Sequence, residues 1–264
     1  MINKPIVGVA ALIFVLAAAG VYYLKERNQP LPAAPSAPPS VAPPSNEPGI
    51  AHPLPQGAGN AASAAPLPDL ADSDTPLRES LTQLSNADAV KNFLVPQDLI
   101  RKIVVSIDNL PRQKVAVEKR PVNPAAGSLA VNGDELHATL DQRNFERYKP
   151  MVAVISQLDA KQLGALYIHY YPLFQEAYQN LGYPNGYFND RLVEVIDNLL
   201  QTPEPKAPIE LVRPNVMYIY ADSALESRSA GQKLLMRMGP ENAKAVKAKL
   251  TELRAVITAG TLKH

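Results

Sequence analysis

The residues that could carry out chemistry are concentrated between Tyr167 and Asp197. Half of the chain's 11 Tyr and 5 Phe residues lie between Tyr167 and Phe188. Four carboxylates occupy the same stretch: Glu176, Asp190, Glu194 and Asp197. Paired carboxylates cleave glycosidic bonds, whereas exposed aromatic rings are typical of binding surfaces. The stretch therefore supports two hypotheses, a glycan-cleaving hydrolase and a non-enzymatic binding surface.

The binding hypothesis rests on the loop GYPNGYFND at residues 182–190, where turn-forming residues alternate with aromatic rings. We expect Tyr183 and Tyr187 to be at least partly exposed and Phe188 to be core, because Phe188 directly precedes an apolar helix. Packing of an aromatic helical stripe and ion pairing with Arg191 are the simpler alternatives. The candidate binding residues are Tyr171, Tyr183, Tyr187, Asp190 and Arg191.

Metal and thiol chemistry find little support in the sequence. The chain has no cysteine, which excludes disulfides, thiolate nucleophiles and cysteine-type zinc sites. His169 and Glu176 are seven residues apart, so they could share a helix face as metal ligands or as an acid–base pair. A packed or surface histidine is the more common situation. We therefore predict no metal site, no cofactor and no catalytic residue.

The charge balance also restricts the partners. The formal net charge is +1, far from the basic surplus of a dedicated nucleic-acid-binding protein. We predict no nucleic-acid partner.

The elements that must position these residues begin with an apolar segment, Pro5 to Leu24, which contains no charged residue. A helix of that length spans roughly 30 Å of hydrocarbon, so residues 1–27 are predicted to be an N-terminal transmembrane anchor. The alternative is a signal peptide cleaved after Ala19. A short cytoplasmic tail with the rest exported is the simpler topology, which places the protein in the inner membrane, single-pass, with a periplasmic C-terminal domain.

Residues 28–74 are predicted to form a disordered, proline-rich linker. Nearly half of the chain's 26 prolines lie in this stretch, which has almost no aromatic or branched apolar residues. Such a composition cannot bury enough surface to offset the entropy of ordering. A passive spacer is the leading interpretation, and a ligand for proline-recognition modules is the alternative.

Residues 75–264 are predicted to be a mainly helical globular domain with a small β-hairpin. Asp74 to Pro76 is typical of a capped helix start, and apolar residues from Leu99 to Leu110 repeat with helical period. Asn132-Gly133 between short extended runs predicts the hairpin, and 209–220 contains two further candidate strands. Other helices are predicted after Asp141, over Met151 to Leu158, from Asp159 to Leu181, around Leu192 to Leu200, from Ser223 or Ser227 to Gly239, and from Pro240 onward.

Three segments carry a resemblance to a known family: residues 171–200, which include GYPNGYFNDRL, then IELVRPNVMY, then residues 229–250, which include RMGPENA. Over about residues 77–258 the chain resembles an uncharacterised family of bacterial membrane-anchored proteins, described as domain of unknown function three-thousand-fourteen. The resemblance implies an anchored envelope protein with a helical domain and an envelope-protein or cell-wall partner. It implies no active-site residues. The partner expectation also rests on the predicted anchor and spacer and on the aromatic loop.

Overall fold

The computed structural model of the chain describes residues 49–55, 66–84, 93–113, 121–123, 128–134, 137–215 and 217–259. These residues form a mainly helical domain with a small antiparallel sheet, as predicted. The helices are, after a 3-10 turn at Leu70–Asp72, α1 (Asp74–Leu84), α2 (Leu99–Asn109), α3 (Arg143–Ser156), α4 (Ala160–Asn180), α5 (Phe188–Leu200), α6 (Ser223–Glu226), α7 (Ala230–Met238) and α8 (Pro240–Ile257). The strands are β1 (Val131–Asn132), β2 (Ala138–Leu140), β3 (Glu210–Val212) and β4 (Ile219–Tyr220).

Helix α8 lies at the centre of the main core and contacts α3, α4, α5 and α7. Its inward residues Val246, Leu250 and Ile257 are completely buried. At Gly164 of α4 an added Cβ would overlap the side chain of Val256, so the residue must be small for these two helices to approach. Helix α2 packs on both α4 and α5, and the candidate site lies where these three helices meet.

The sheet has the strand order β1-β2-β3-β4, with each neighbouring pair antiparallel. The predicted hairpin is confirmed, and Gly133 adopts a φ of 92°, which favours glycine. The predicted strands in 209–220 are confirmed too, and they extend the hairpin because Thr139 pairs with Glu210. The pairing joins residues about 70 positions apart, so no local pattern predicts it.

Several helix boundaries follow the sequence signals. The carboxylate of Asp159 accepts hydrogen bonds from the backbone N–H groups of Lys161 and Gln162, which caps α4. Helix α4 continues through Pro172 and is followed by Gly182 with a φ of 113°. Pro240 is the first residue of α8. The observed ends of α4 and the observed start of α8 therefore agree with the signals in their sequence.

Other boundaries were predicted wrongly. The two helical stretches expected on either side of Pro150 form one helix, α3, because a proline removes a single backbone bond and Met151, Val152 and Ile155 are buried along it. The helix expected from Ser223 or Ser227 to Gly239 is two helices, α6 and α7, and Ser229 caps the second.

The capping role of Asp74 also differs from the prediction. Its carboxylate accepts hydrogen bonds from the N–H groups of Asp98 (2.7 Å) and Leu99 (2.8 Å). Asp74 is itself the first residue of α1, so it caps α2 rather than its own helix. A residue distant in sequence supplies the cap because Asp98, at the N-terminus of α2, makes no side-chain capping bond.

The N-terminal predictions concern residues that are only partly described. The predicted anchor, Pro5 to Leu24, and the proposed cleavage position Ala19 lie outside the described residues. No helix among the described residues is long and apolar enough to cross a membrane. Within the predicted linker, Leu54 and Leu67 pack against the main core and Leu70 is buried. The linker boundary at residue 74 stays a prediction.

Candidate functional site

An open pocket with a volume of about 380 Å³ lies at the end of the α4–α5 hairpin. Its walls come from α2, α4, α5 and the loop between α4 and α5. The side chains that matter for its chemistry are Asp108, Tyr178, Tyr183, Tyr187, Arg191 and Glu194. The pocket thus combines aromatic rings with both signs of charge.

The loop that forms one wall is fixed by Gln175 of α4. Its side-chain nitrogen donates to the carbonyl of Gly186 (2.7 Å), and its side-chain oxygen accepts from the backbone N–H of Phe188 (2.8 Å). The same oxygen accepts from the hydroxyl of Tyr171 (2.9 Å). One amide therefore holds the loop, the start of α5 and a buried tyrosine together.

The aromatic residues of the loop divide into core and wall, as predicted. Phe188 is 0% exposed, while Tyr183 and Tyr187 are half-buried. The Tyr183 ring stacks on Tyr178 with 4.6 Å between centroids and 19° between planes. Tyr187 packs against Tyr171 with centroids 5.5 Å apart. These contacts orient the two half-buried rings without removing them from solvent.

Asp108 is the centre of the charged wall. Its side chain is 4% exposed, and its carboxylate pairs with Nε of Arg191 (3.0 Å) and Nη2 of Arg112 (2.7 Å). The hydroxyl of Tyr183 also donates to this carboxylate (3.3 Å). The last turn of α2 is thereby tied to α5 and to the aromatic loop.

Arg191 connects this buried carboxylate to the pocket rim. It donates to the backbone carbonyl of Asp108 (2.7 Å) and to Glu194 (2.8 Å). Burial by itself lowers the pKa of Arg191, but the hydrogen bond and charge of Glu194 together with the charge of Asp108 raise it. The guanidinium is therefore permanently charged and is held by two carboxylates and one backbone carbonyl.

Tyr167, Tyr171 and Tyr178 have raised pKa values and remain neutral at physiological pH. Burial raises the pKa of Tyr171, and the neighbouring Tyr187 hydroxyl raises it further. Burial also raises the pKa of Tyr167 and Tyr178. Their hydroxyls act as hydrogen-bonding groups and not as phenolate bases.

Asp190 is occupied by another part of the chain. Its two carboxylate oxygens accept hydrogen bonds from the backbone N–H groups of Ala51 (3.1 Å) and His52 (2.6 Å). The segment Gly49–Pro55 therefore lies across the start of α5, and Ile50 of this segment lines the pocket.

Residues 99–254 match the model of the family described as Protein of unknown function (DUF3014). The match spans more than half of the chain. The chain belongs to this family. No curated protein and no solved structure is similar enough to the chain to count as a match.

The matched range of the DUF3014 domain contains Asp108, Gln175, the loop 182–187 and Arg191. It therefore includes every pocket wall except the one formed by Ile50. The segment Gly49–Pro55 lies outside the matched range, although it contacts the first turn of α5.

Four of the five predicted binding residues come together in the DUF3014 domain. Tyr183, Tyr187, Asp190 and Arg191 all line the pocket. Tyr171 is buried beneath Tyr187 and supports the wall from behind.

The predicted carboxylate and histidine groupings are dispersed. Asp190 and Glu194 line the pocket, whereas Glu176 is exposed on α4 and Asp197 pairs with Arg254. His169 packs edge-on against Tyr170 with centroids 4.9 Å apart. Among the described residues no group of three acidic or histidine side chains could hold a metal ion.

Sequence reasoning missed Asp108, Arg112 and Gln175. Asp108 had a usable signal, because it lies four residues after the buried Val104 and next to Ile107. A charged residue in a buried helical stripe requires a charged partner, which points to an ion pair. Gln175 had no such signal, since its contacts depend on the fold of the following loop.

Proposed function

We propose that the chain is a membrane-tethered, non-enzymatic binding or scaffolding module of the bacterial cell envelope, with the pocket at the aromatic loop as its binding site. One observation carries the proposal: each carboxylate of the pocket already has a hydrogen-bonded partner within the chain. Asp108 holds two arginines, Asp190 holds two backbone N–H groups, and Glu194 holds Arg191.

Engaged carboxylates suit recognition better than acid–base catalysis. A general acid or base needs a proton-transfer position that faces the substrate, at hydrogen-bonding distance from the reacting atom. The half-buried rings of Tyr183 and Tyr187 offer contact area at low entropic cost, as binding surfaces commonly do.

The membrane tether is supported by sequence. The apolar run Pro5 to Leu24 is long enough to span a bilayer, and the proline-rich stretch after it suits a spacer. The partner would be an envelope protein or a cell-wall component.

A glycan-cleaving hydrolase remains the second candidate, because Asp190 and Glu194 line the same pocket. This alternative requires Glu194→Gln to abolish hydrolysis of envelope glycans by the purified full-length protein. The binding proposal requires that the wild-type protein show no such hydrolysis.

The binding proposal is tested by replacing Tyr183 in the full-length protein, extracted from its own membranes in mild detergent. We expect Tyr183→Ala to weaken capture of the co-purifying partner by about 2 kcal/mol, roughly 30-fold, because it removes a wall of the pocket. The domain should lose only about 1–2 kcal/mol of stability, since the ring is half-buried.

The matched control is Tyr218→Ala. Tyr218 is also half-buried and lies near Arg213, with the guanidinium 5.5 Å from its ring centroid, outside the pocket. Capture should survive this change. Equal capture by the wild type and both variants, quantified by mass spectrometry, would refute the proposal.

A further inference from the structure

The segment Gly49–Pro55 is held by its backbone, in the manner of a bound peptide. The N–H groups of Ala51 and His52 donate to the two oxygens of Asp190. The N–H of Leu54 donates to the hydroxyl of Tyr187 (3.3 Å). Proline has no N–H, so every backbone donor from residue 51 to residue 54 is used by the start of α5.

The remaining contacts complete this recognition. The carbonyl of His52 accepts from the side-chain nitrogen of Asn189 (2.8 Å), which is completely buried. Pro53 and Pro55 favour an extended backbone, and Leu54 between them packs against the main core. Backbone hydrogen bonds with one apolar side chain in a pocket are a recurring mode of peptide recognition.

The same short pattern occurs three times before the helical domain. Pro-Leu-Pro is found at residues 30–32, 53–55 and 66–68, each time after two residues that keep their N–H groups. The leucines of the second and third units, Leu54 and Leu67, both pack against the main core. The first unit lies outside the described residues. Both described units therefore place their leucine against the same core.

We propose that the first turn of α5, with Tyr187, Asn189 and Asp190, is a docking site for an extended peptide with the pattern X-X-Pro-Leu-Pro, where X keeps its N–H. The proposal rests on the proposed binding function and names the ligand class of that site. Residues 49–55 are the resident occupant, and a partner segment with the same pattern displaces them. Displacement of residues 49–55 also changes the rim of the pocket, because Ile50 of this segment lines it.

Competition within the chain sets the apparent affinity for a partner. The segment and its site belong to the same chain, so the segment acts at an effective concentration on the order of millimolar. An added peptide must compete with it, so the intact chain binds the peptide more weakly than a chain whose own segment cannot dock.

The test measures binding of a fluorescent peptide with the sequence of residues 49–55 to the full-length chain in detergent, by anisotropy. The double variant Ala51→Pro/His52→Pro removes both donors to Asp190 and opens the site. We expect it to bind the peptide at least tenfold more tightly than the wild type. The single variant Ala51→Pro should lie between the two, and it serves if the double variant fails to fold.

The controls test whether binding depends on the order of residues in the peptide and on the loss of the two donors to Asp190. Gly49→Pro is the matched variant, because an added Cβ at residue 49 meets no atom within 4 Å and all three donors remain. It should bind the peptide as weakly as the wild type. A peptide of the same residues in reverse order should not bind the opened chain, and Asp190→Asn in the opened chain should reduce binding at least tenfold.

A peptide containing residues 28–32, the first unit, should bind the opened chain within tenfold of the peptide 49–55. Equal binding by wild type and opened chains, or binding of the reversed peptide, would overturn the proposal. Failure of the 28–32 peptide would also overturn it, since the ligand class would not be Pro-Leu-Pro. Such failures leave the Tyr183-dependent capture of a partner intact if the binding function is right, so the two proposals fail separately.

Discussion

The two ends of α5 carry similar ion pairs in different surroundings. At the N-terminal end Arg191 meets Asp108, with side-chain exposures of 17% and 4%. Near the C-terminal end Asp197 meets Arg254 of α8, with exposures of 40% and 35%. Both pairs connect α5 to another helix at hydrogen-bonding distance, 3.0 Å and 2.6 Å.

The difference in exposure separates an ion pair at the surface from an ion pair in the wall of the pocket. An exposed pair gains little free energy because water screens it. A buried pair has lost its hydration, and an apolar pair of the same size is often equally stable. The buried pair of α5 lies in the wall of the pocket, so its contribution to the proposed binding function can be tested apart from its contribution to stability.

The largest expected effect comes from breaking the buried pair. We expect Asp108→Ala to lower the free energy of unfolding by about 3–5 kcal/mol, because Arg191 would keep a largely buried charge without its buried carboxylate partner. Chemical denaturation followed by circular dichroism measures this loss. A loss below about 1 kcal/mol would show that the pair behaves like a surface pair.

The double variant Asp108→Leu/Arg191→Met sharpens the interpretation. Removal of both charges should restore stability to within about 1.5 kcal/mol of the wild type. It should nevertheless abolish partner capture, since the charged wall of the pocket is gone. If the double variant is as unstable as Asp108→Ala, the charges are structural.

Local sequence patterns predicted most of the helices but not how distant segments meet. The helical stripe around Leu192, the cap at Asp159, the helix start at Pro240 and the Asn-Gly turn all depend on neighbours in sequence. The cap of α2 by Asp74 depends on the approach of two separate segments. Pro150 was misleading because tertiary burial along α3 outweighs one lost hydrogen bond.

The candidate site divides in the same way. Clustering of aromatic residues at the loop identified Tyr183 and Tyr187, and Asp190 and Arg191 were included because they directly follow the loop aromatics in sequence. The third wall, from α2, lies more than 70 residues earlier in the chain. The contact of residues 49–55 with the domain was not predicted, because their composition indicates a disordered linker. Backbone N–H groups hold the segment, and these occur in every sequence, so only their partners in the fold distinguish it.

An intermediate effect is expected from alkaline pH. The N-terminal end of α5 packs on Tyr167 and Tyr171, whose pKa values burial raises above the usual value near 10. In strand β4, burial raises the pKa of Tyr220 to about 12. The folded chain then holds protons that the unfolded chain releases above pH 10, so stability is complete below pH 10 and falls as the pH rises.

Each such tyrosine should cost about 1.4 kcal/mol per pH unit between pH 10 and its folded pKa, and for Tyr220 the loss should end near pH 12. Phenolate absorbance should therefore rise together with the loss of helical circular dichroism. Tyr220→Phe should reduce the pH dependence above pH 10. Ionisation of these tyrosines in a chain that stays folded would contradict the assigned burial.

The smallest effect is expected at the exposed end of α5. Asp197→Ala removes the pair with Arg254, whose two nitrogens reach Asp197 at 2.6 Å and 2.9 Å. The hydrogen bond to Asp197 raises the pKa of Arg254, although the guanidinium stays charged with or without it. Because both side chains are more than a third exposed, screening should limit the loss of stability to about 0–1 kcal/mol.

The loss should shrink further in 1 M salt, where the Debye length is about 3 Å, while the loss in Asp108→Ala should change little. Parallel denaturation of the two variants at low and high salt compares the ends of α5 directly. Equal salt dependence of the two losses would mean that solvent reaches Asp108 as freely as Asp197, and the pocket wall would then not be a desolvated site.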